Sequence, residues 1–194
     1  MVMDDAQLAE RLARDLDGAF EELVHAHVDR CHSIALRILG NPHDAEEVAQ
    51  DALVRAYRAL DGWPPDRIRE LRIRGWLATI VVNLCRNRVR RHALATTPLA
   101  PLVEGGAEPA ADASTDPAAF AAVADQRERL GALLAALPDR YRVPVVLRHV
   151  DDLSYAELSS VLGRPEGTLK AQVHRGLAML RDAATAAGLE ELIA

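Results

Sequence analysis

Three groups of residues in this 194-residue chain have the types and spacing to do chemistry, and the chemistry of each is recognition rather than bond-making. After Pro42, the residues Asp44, Glu46, Glu47, Gln50 and Asp51 place carboxylates and one amide over two helical turns. Glu47 and Asp51 are i,i+4 neighbours with Gln50 alongside, so they can accept charge-assisted hydrogen bonds from the arginines of a basic partner helix. A merely solvated helix face has the same composition. The second group is cationic: Arg67, Arg69, Arg72 and Arg74, then Arg86, Arg88, Arg90 and Arg91, opposed locally by Asp66 and Glu70. Such a cluster suits phosphate, and Asn83 and Asn87, four apart, can offer amides to base edges. Cations at a helix C-terminus are also favourable without any nucleic acid. Trp63, in a Pro-rich loop beside these arginines, is a candidate platform for an unpaired base, where stacking contributes about 1–3 kcal/mol. Trp76, at the start of a helix, reads as core. The third group is Thr168, Lys170, Ala171, Gln172 and Arg175, outward residues of the last long helix whose donors and methyl groups suit a major groove.

Helices must position all three. Asp151 to Arg181 reads as two helices joined by a tight turn, the plan of a DNA-reading helix-turn-helix. Ser154 precedes Glu157 by three residues, the spacing of a capping box. Gly163 follows where a left-handed backbone is needed, and Pro165 restricts Arg164 to an extended conformation. The second helix starts at Pro165 or Gly167 and buries Leu169, Val173, Leu177 and Leu180 at helical spacing. Upstream, Phe20, Leu23, Val24, His27, Cys31, Ile34, Ile38 and Leu39 mark a helix over Asp17 to Leu39, ended by Gly40, Asn41 and Pro42. Asn41 or Asp44 can cap the next, whose apolar stripe runs from Ala45 to Leu60. A third helix is expected over Ile73 to Arg91, with Leu77, Ile80, Val81, Leu84, Cys85 and Val89 on its core side. From Ala93 to Ala119 the composition turns to Ala, Pro, Gly, Thr, Glu and Asp, which reads as a flexible acidic linker. Four short helices are expected after it. The fold class is all-α: two small helical domains, residues 1–92 and 120–194, joined by a linker over 93–119.

Composition narrows the functions. The net charge of −6 disfavours indiscriminate attraction to nucleic acid, so any DNA contact must rest on local clusters. Cys31 and Cys85 lie far apart within apolar helical patterns and read as small buried hydrophobes. His25 and His27 face different directions on a helix, so no metal site is expected. There is no phosphate-binding glycine loop, nucleophile elbow or zinc signature, which argues against an enzyme and against a cofactor. No stretch reads as a signal peptide or a membrane span, so a cytoplasmic protein without membrane insertion is expected.

Taken together, the motifs resemble an extracytoplasmic-function sigma factor of the sigma-70 family, and the resemblance covers nearly the whole chain. DAEEVAQDALVRAY is similar to the family's segment for the RNA polymerase clamp helices, GWLATIVVNLCRNRVRR to the minus-ten helix, and GTLKAQVHRGLAMLR to the minus-thirty-five reader. The resemblance implies that Glu47, Gln50 and Asp51 dock core RNA polymerase. It implies that Trp63, Arg67, Asn83, Arg86, Asn87, Arg88, Arg90 and Arg91 meet the minus-ten promoter DNA, and that Thr168, Lys170, Gln172 and Arg175 meet the upstream element. An anti-sigma factor is implied as a further partner. The family often has aspartate where Asn87 stands, and serine and arginine where Ala171 and Gln172 stand, so the promoter preference is expected to differ. The alternatives are a conventional helix-turn-helix regulator that acts without polymerase, and a helical adaptor that binds only proteins.

Overall fold

The computed structural model describes residues 4–95, 126 and 129–189, and every regular element among them is helical. The chain opens with a helix not anticipated above, α1 (Asp5–Arg14), which buries Leu8, Ala9 and Leu12. α2 (Leu16–Leu39) and α3 (Pro42–Asp61) follow, with Asn41 as the cap of α3: its Oδ1 accepts from the Asp44 amide at 3.0 Å, and Pro42 fills the first turn, where a missing N–H costs nothing. The stretch read as a loop contains a short helix, α4 (Pro65–Arg69), pinned by buried Ile68 and packed on α1. α5 (Ile73–Ala95) packs on both α2 and α3. Their shared core includes Leu23, Ile34, Leu60, Ile73, Val81 and Val82. Both cysteines are buried within it, and the loss of hydration pushes their thiols up, Cys31 to about 11 and Cys85 to about 12.

Residues 93–95 belong to the end of α5; the rest of the expected linker lies outside the described residues, as does Val123. The second half comprises α6, helical over 129–135, then α7 (Asp139–His149), α8 (Tyr155–Leu162) and α9 (Glu166–Ala186). The helix-turn-helix forms as its spacing predicts. Ser154 Oγ accepts from the Glu157 amide at 3.3 Å, and Glu157 Oε2 accepts from the Ser154 amide at 2.8 Å. These bonds to Ser154 hold the Glu157 carboxyl below the usual carboxylate range. Gly163 sits at φ 65°, and its N–H bonds the Ser159 carbonyl at 2.9 Å. α9 runs on to Ala186 and buries Leu169, Val173 and Leu180, while Leu177 is only half-buried. Gly176 takes the close approach to α7 instead: a Cβ there would lie 2.7 Å from Val145 Cγ2.

The two halves touch through α2 with α7 and α5 with α8. Asp151, 3% exposed, is the polar centre of that contact. Its Oδ1 accepts from Arg30 Nε, and its backbone carbonyl accepts from Arg30 Nη2 at 3.2 Å and Arg74 Nη2 at 2.9 Å. Burial pushes the Asp151 carboxyl up, and the Arg30 hydrogen bond opposes that shift. Val89, expected in the core, is 40% exposed and lines a small groove between the halves with Ile38, Cys85, Val143 and Leu162. Val89 keeps the helical phase of buried Val82 and Cys85, so its exposure comes from the groove it lines at that end of α5 and not from a change of face. No helix among the described residues is long and apolar enough to cross a membrane.

Candidate functional site

The acidic face forms on the outer side of α3. Ala45, Val48, Ala49, Ala52 and Ala56 turn inward, so Glu46, Gln50 and Asp51 are exposed. Gln50 Nε2 donates to Glu46 Oε1 at 3.2 Å, which fixes the amide on the helix surface. Val54, one turn beyond Gln50, is 49% exposed and puts an apolar surface among these polar groups. The sequence reading passed over Val54, although its place outside the apolar stripe of α3 was the available signal.

Lateral pairing divides the arginine cluster. Arg69 binds Glu10 at 3.1 Å and Asp66 at 2.6 Å, tying α4 to α1. Arg74 is engaged at Asp151. Arg88 is held laterally: its Nε and Nη2 donate to Asp44 Oδ1 at 2.9 and 2.5 Å, and Nη2 also meets Glu47. These bonds raise the affinity of Arg88 for its proton and make it a bracket between α5 and α3. Asn83, Arg86, Arg90 and Arg91 are exposed on α5, with Asn87 half-buried and accepting from Arg90 Nη2 at 3.2 Å. Asn83, Arg86, Asn87 and Arg90 recur at three- and four-residue steps and so share one face. Trp63 is not an open platform. Its ring packs on the core 5.2 Å from Trp76, and Arg67 Cζ stands 3.8 Å over it. Stacking a base on Trp63 therefore requires moving Arg67.

On α9, Thr168, Ala171, Gln172 and Arg175 line one concave surface with Arg140, Tyr141 and His174. Thr168, Lys170, Ala171 and Arg175 are exposed, as their helical phase predicts. Several are braced from neighbouring elements. Lys170 Nζ lies 5.5 Å from the centre of the Tyr155 ring, Gln172 Oε1 accepts from Arg164 Nη1 at 3.2 Å, and Arg175 hydrogen-bonds the Tyr141 hydroxyl, holding that phenol below its ordinary range. Arg140, Arg164 and His174 were not singled out from the sequence. Arg140 and Arg164 lie off α9, and only the fold brings them to its face.

Residues 23–94 match the model of Sigma-70 region 2, and residues 127–180 match that of Sigma-70 region 4. Among curated proteins, the chain is 34% identical over 168 residues to the ECF RNA polymerase sigma factor SigE of Mycolicibacterium smegmatis, covering 84% of this chain and 61% of that relative. It is 30% identical over 175 residues to the ECF RNA polymerase sigma factor SigW of Bacillus subtilis, covering 84% of this chain and 87% of SigW. The chain belongs to the extracytoplasmic-function sigma factors. Among solved structures, CnrH in complex with the cytosolic domain of CnrY superposes with a TM-score of 0.67 at 25% identity, over 94% of this chain and 97% of that one. RpoE of Bartonella quintana, in complex with the anti-sigma factor NepR, superposes with a TM-score of 0.64 at 20% identity, over 84% of this chain and 94% of that one, and shares the fold. In this sigma factor the acidic face of α3 and the basic face of α5 lie within region 2, and the helix-turn-helix lies within region 4.

Proposed function

We propose that this sigma factor docks core RNA polymerase through Glu47, Gln50 and Asp51, with Val54 as the apolar centre of that contact. The basic face of α5, carrying Asn83, Arg86, Asn87, Arg90 and Arg91, meets the minus-ten promoter element, with Trp63 and Arg67 at its edge. Thr168, Lys170, Gln172 and Arg175 of α9 read the upstream element. Residues 1–92 and 120–194 are the two functional domains, and 93–119 is the segment that spans between them. The protein acts as a non-catalytic, dissociable initiation subunit in the cytoplasm. An anti-sigma factor is its negative regulator, a reading supported by the likeness to CnrH, solved with the cytosolic domain of CnrY.

One observation carries this reading: within the two segments matched to sigma regions, α3, α5 and α9 each keep a polar face clear of the core. With a net charge of −6, the chain depends on polymerase to bring its cationic faces to DNA. Gln50→Ala combined with Asp51→Ala should weaken capture of core polymerase in a pull-down while leaving the melting temperature unchanged. Lys170→Ala with Arg175→Ala should reduce promoter-specific run-off transcription while leaving core capture intact. Equal loss of both functions in both variants would show that the two surfaces had been misassigned.

A further inference from the structure

Each flank of α9 rests on an aromatic ring supplied by a neighbouring helix, and each ring carries two cations. At about 100° per residue, Lys170 and Arg175 stand about 140° apart around α9. His174 and Ala171 occupy the outward arc between them, and Leu169, Val173 and Leu180 the buried side. On the Lys170 flank, Tyr155 of α8 has Lys170 Nζ and Arg148 Cζ each 5.5 Å from its ring centre. On the Arg175 flank, Tyr141 of α7 has Arg140 Cζ 4.7 Å from its ring centre, and its hydroxyl is hydrogen-bonded by Arg175 and Arg140. Among the described residues, no carboxylate lines the concave surface on this flank, and Asp139, beside Arg140 in the chain, pairs with Arg142. Arg140 is exposed on the rim that this surface shares with the groove between the halves. Tyr141, over which its guanidinium lies, lines the concave surface and not the groove. A helix with its side chains is about 10–12 Å across and a major groove about 12 Å wide, so a helix seated there brings its flanks against the two phosphate backbones.

We propose that Arg140 is a phosphate contact: with α9 in the major groove, its guanidinium grips the strand backbone on the Tyr141 flank, opposite the flank of Lys170. Tyr141 is its positioning residue, since ring and hydroxyl together hold the guanidinium beside Arg175. Such a contact carries no sequence information; it fixes the register of α9 on the duplex. This rests on the assignment of α9 to the upstream element, and adds to it a DNA contact from a helix outside the helix-turn-helix.

The test uses the full-length chain with purified core RNA polymerase on a duplex promoter fragment that the pair transcribes, and on a set in which one phosphate at a time over the upstream element is replaced by a neutral methylphosphonate. Arg140→Ala should make the plot of log affinity against log salt concentration shallower by about one, as for a single phosphate, and by the same amount when the upstream sequence is changed. One methylphosphonate should weaken wild-type binding about fivefold, as for a well-placed exposed ion pair, and leave Arg140→Ala binding unchanged. Arg140→Lys, which keeps the charge, should retain the wild-type slope. Melting curves of each variant separate loss of fold from loss of contact. An unchanged slope in Arg140→Ala, or a methylphosphonate response that matches the wild type at every position, overturns the proposal. Loss of core capture by Arg140→Ala in a pull-down would place the guanidinium on polymerase and overturn it as well. If Lys170→Ala and Arg175→Ala leave upstream-element selectivity intact, the assignment of α9 itself is wrong, and the phosphate contact falls with it.

Discussion

Replacing Arg88 with alanine should lower the stability of the first domain rather than promoter selectivity. The guanidinium bonds Asp44 twice and meets Glu47, with side-chain exposures of 23% for Arg88, 17% for Asp44 and 44% for Glu47. Fully exposed ion pairs contribute about 0.2–1 kcal/mol, and hydrogen bonds to charged groups about 1.5–3 kcal/mol. A bracket screened on one side falls between, at about 1–2 kcal/mol. Asp44 keeps its favourable place in the first turn of α3, near the positive end of the helix dipole, so the loss should lie towards the lower end of that range. For a domain of 60–100 residues, each kcal/mol is about 4–8 °C of melting temperature. Thermal and urea unfolding of Arg88→Ala, Asp44→Asn and the double variant would give the coupling directly, expected near 1 kcal/mol. The reasoning is refuted if Arg88→Ala melts with the wild type while minus-ten-dependent transcription falls, because the guanidinium would then serve DNA and not α3.

Two more outcomes follow from the buried charges. Asp151→Ala removes the carboxylate that Arg30 bonds at the contact between the halves; with the Arg30 side chain 20% exposed and able to turn partly to water, the cost should be about 1–3 kcal/mol. Small-angle scattering should show a larger radius of gyration with helicity unchanged, and an unaltered radius would mean that Asp151 does not hold the halves together. His27 is buried, and that burial depresses its basicity; Arg30 and Arg74 lower it further, and Asp5 opposes them. Because its folded pKa lies below its unfolded value, its contribution to stability is present above about pH 6.5 and is lost as the pH falls through the folded pKa. Urea midpoints measured from about pH 7.5 down to about pH 5 should fall more steeply for the wild type than for His27→Gln, and parallel slopes would exclude His27 as the cause.

The elements written in local chemistry were legible in the sequence. The capping box at Ser154 and Glu157, the glycine turn at Gly163 and the apolar stripes of α2, α3 and α5 depend on neighbours within one or two turns. α1 was equally legible in the spacing of Leu8, Ala9 and Leu12, but its short stripe was passed over. What the sequence withheld were partnerships over long separations. Eight arginines count as one cationic cluster until Glu10, Asp44, Glu47 and Asp151 are brought beside Arg69, Arg88 and Arg74. Trp63 in a proline-rich loop looks available until Trp76 and Arg67 pack against it. Periodicity says which face of a helix is apolar; it does not say which opposing charge the fold will deliver to the other face.

The same bracing separates the two proposed DNA faces by physical character. On α9, Lys170, Gln172 and Arg175 each have a partner on another element, Tyr155, Arg164 and Tyr141 respectively, and Gly176 seats that helix closely against α7. Side chains held in this way have already lost much of the rotamer freedom that binding would otherwise cost, about 0.5–1.5 kcal/mol for each long side chain. That suits a duplex, whose groove edges are fixed in place. On α5, the outward residues project from a single helix, and among the described residues Asn87 is hydrogen-bonded to Arg90 of the same helix rather than to another element. Such a face keeps its freedom and can follow a strand whose bases leave the stack, at the cost of ordering its side chains on contact. Restricting α5 should then improve affinity for duplex minus-ten DNA more than for the melted strand, whereas loosening the braces of α9 should degrade base discrimination at the upstream element more than total binding.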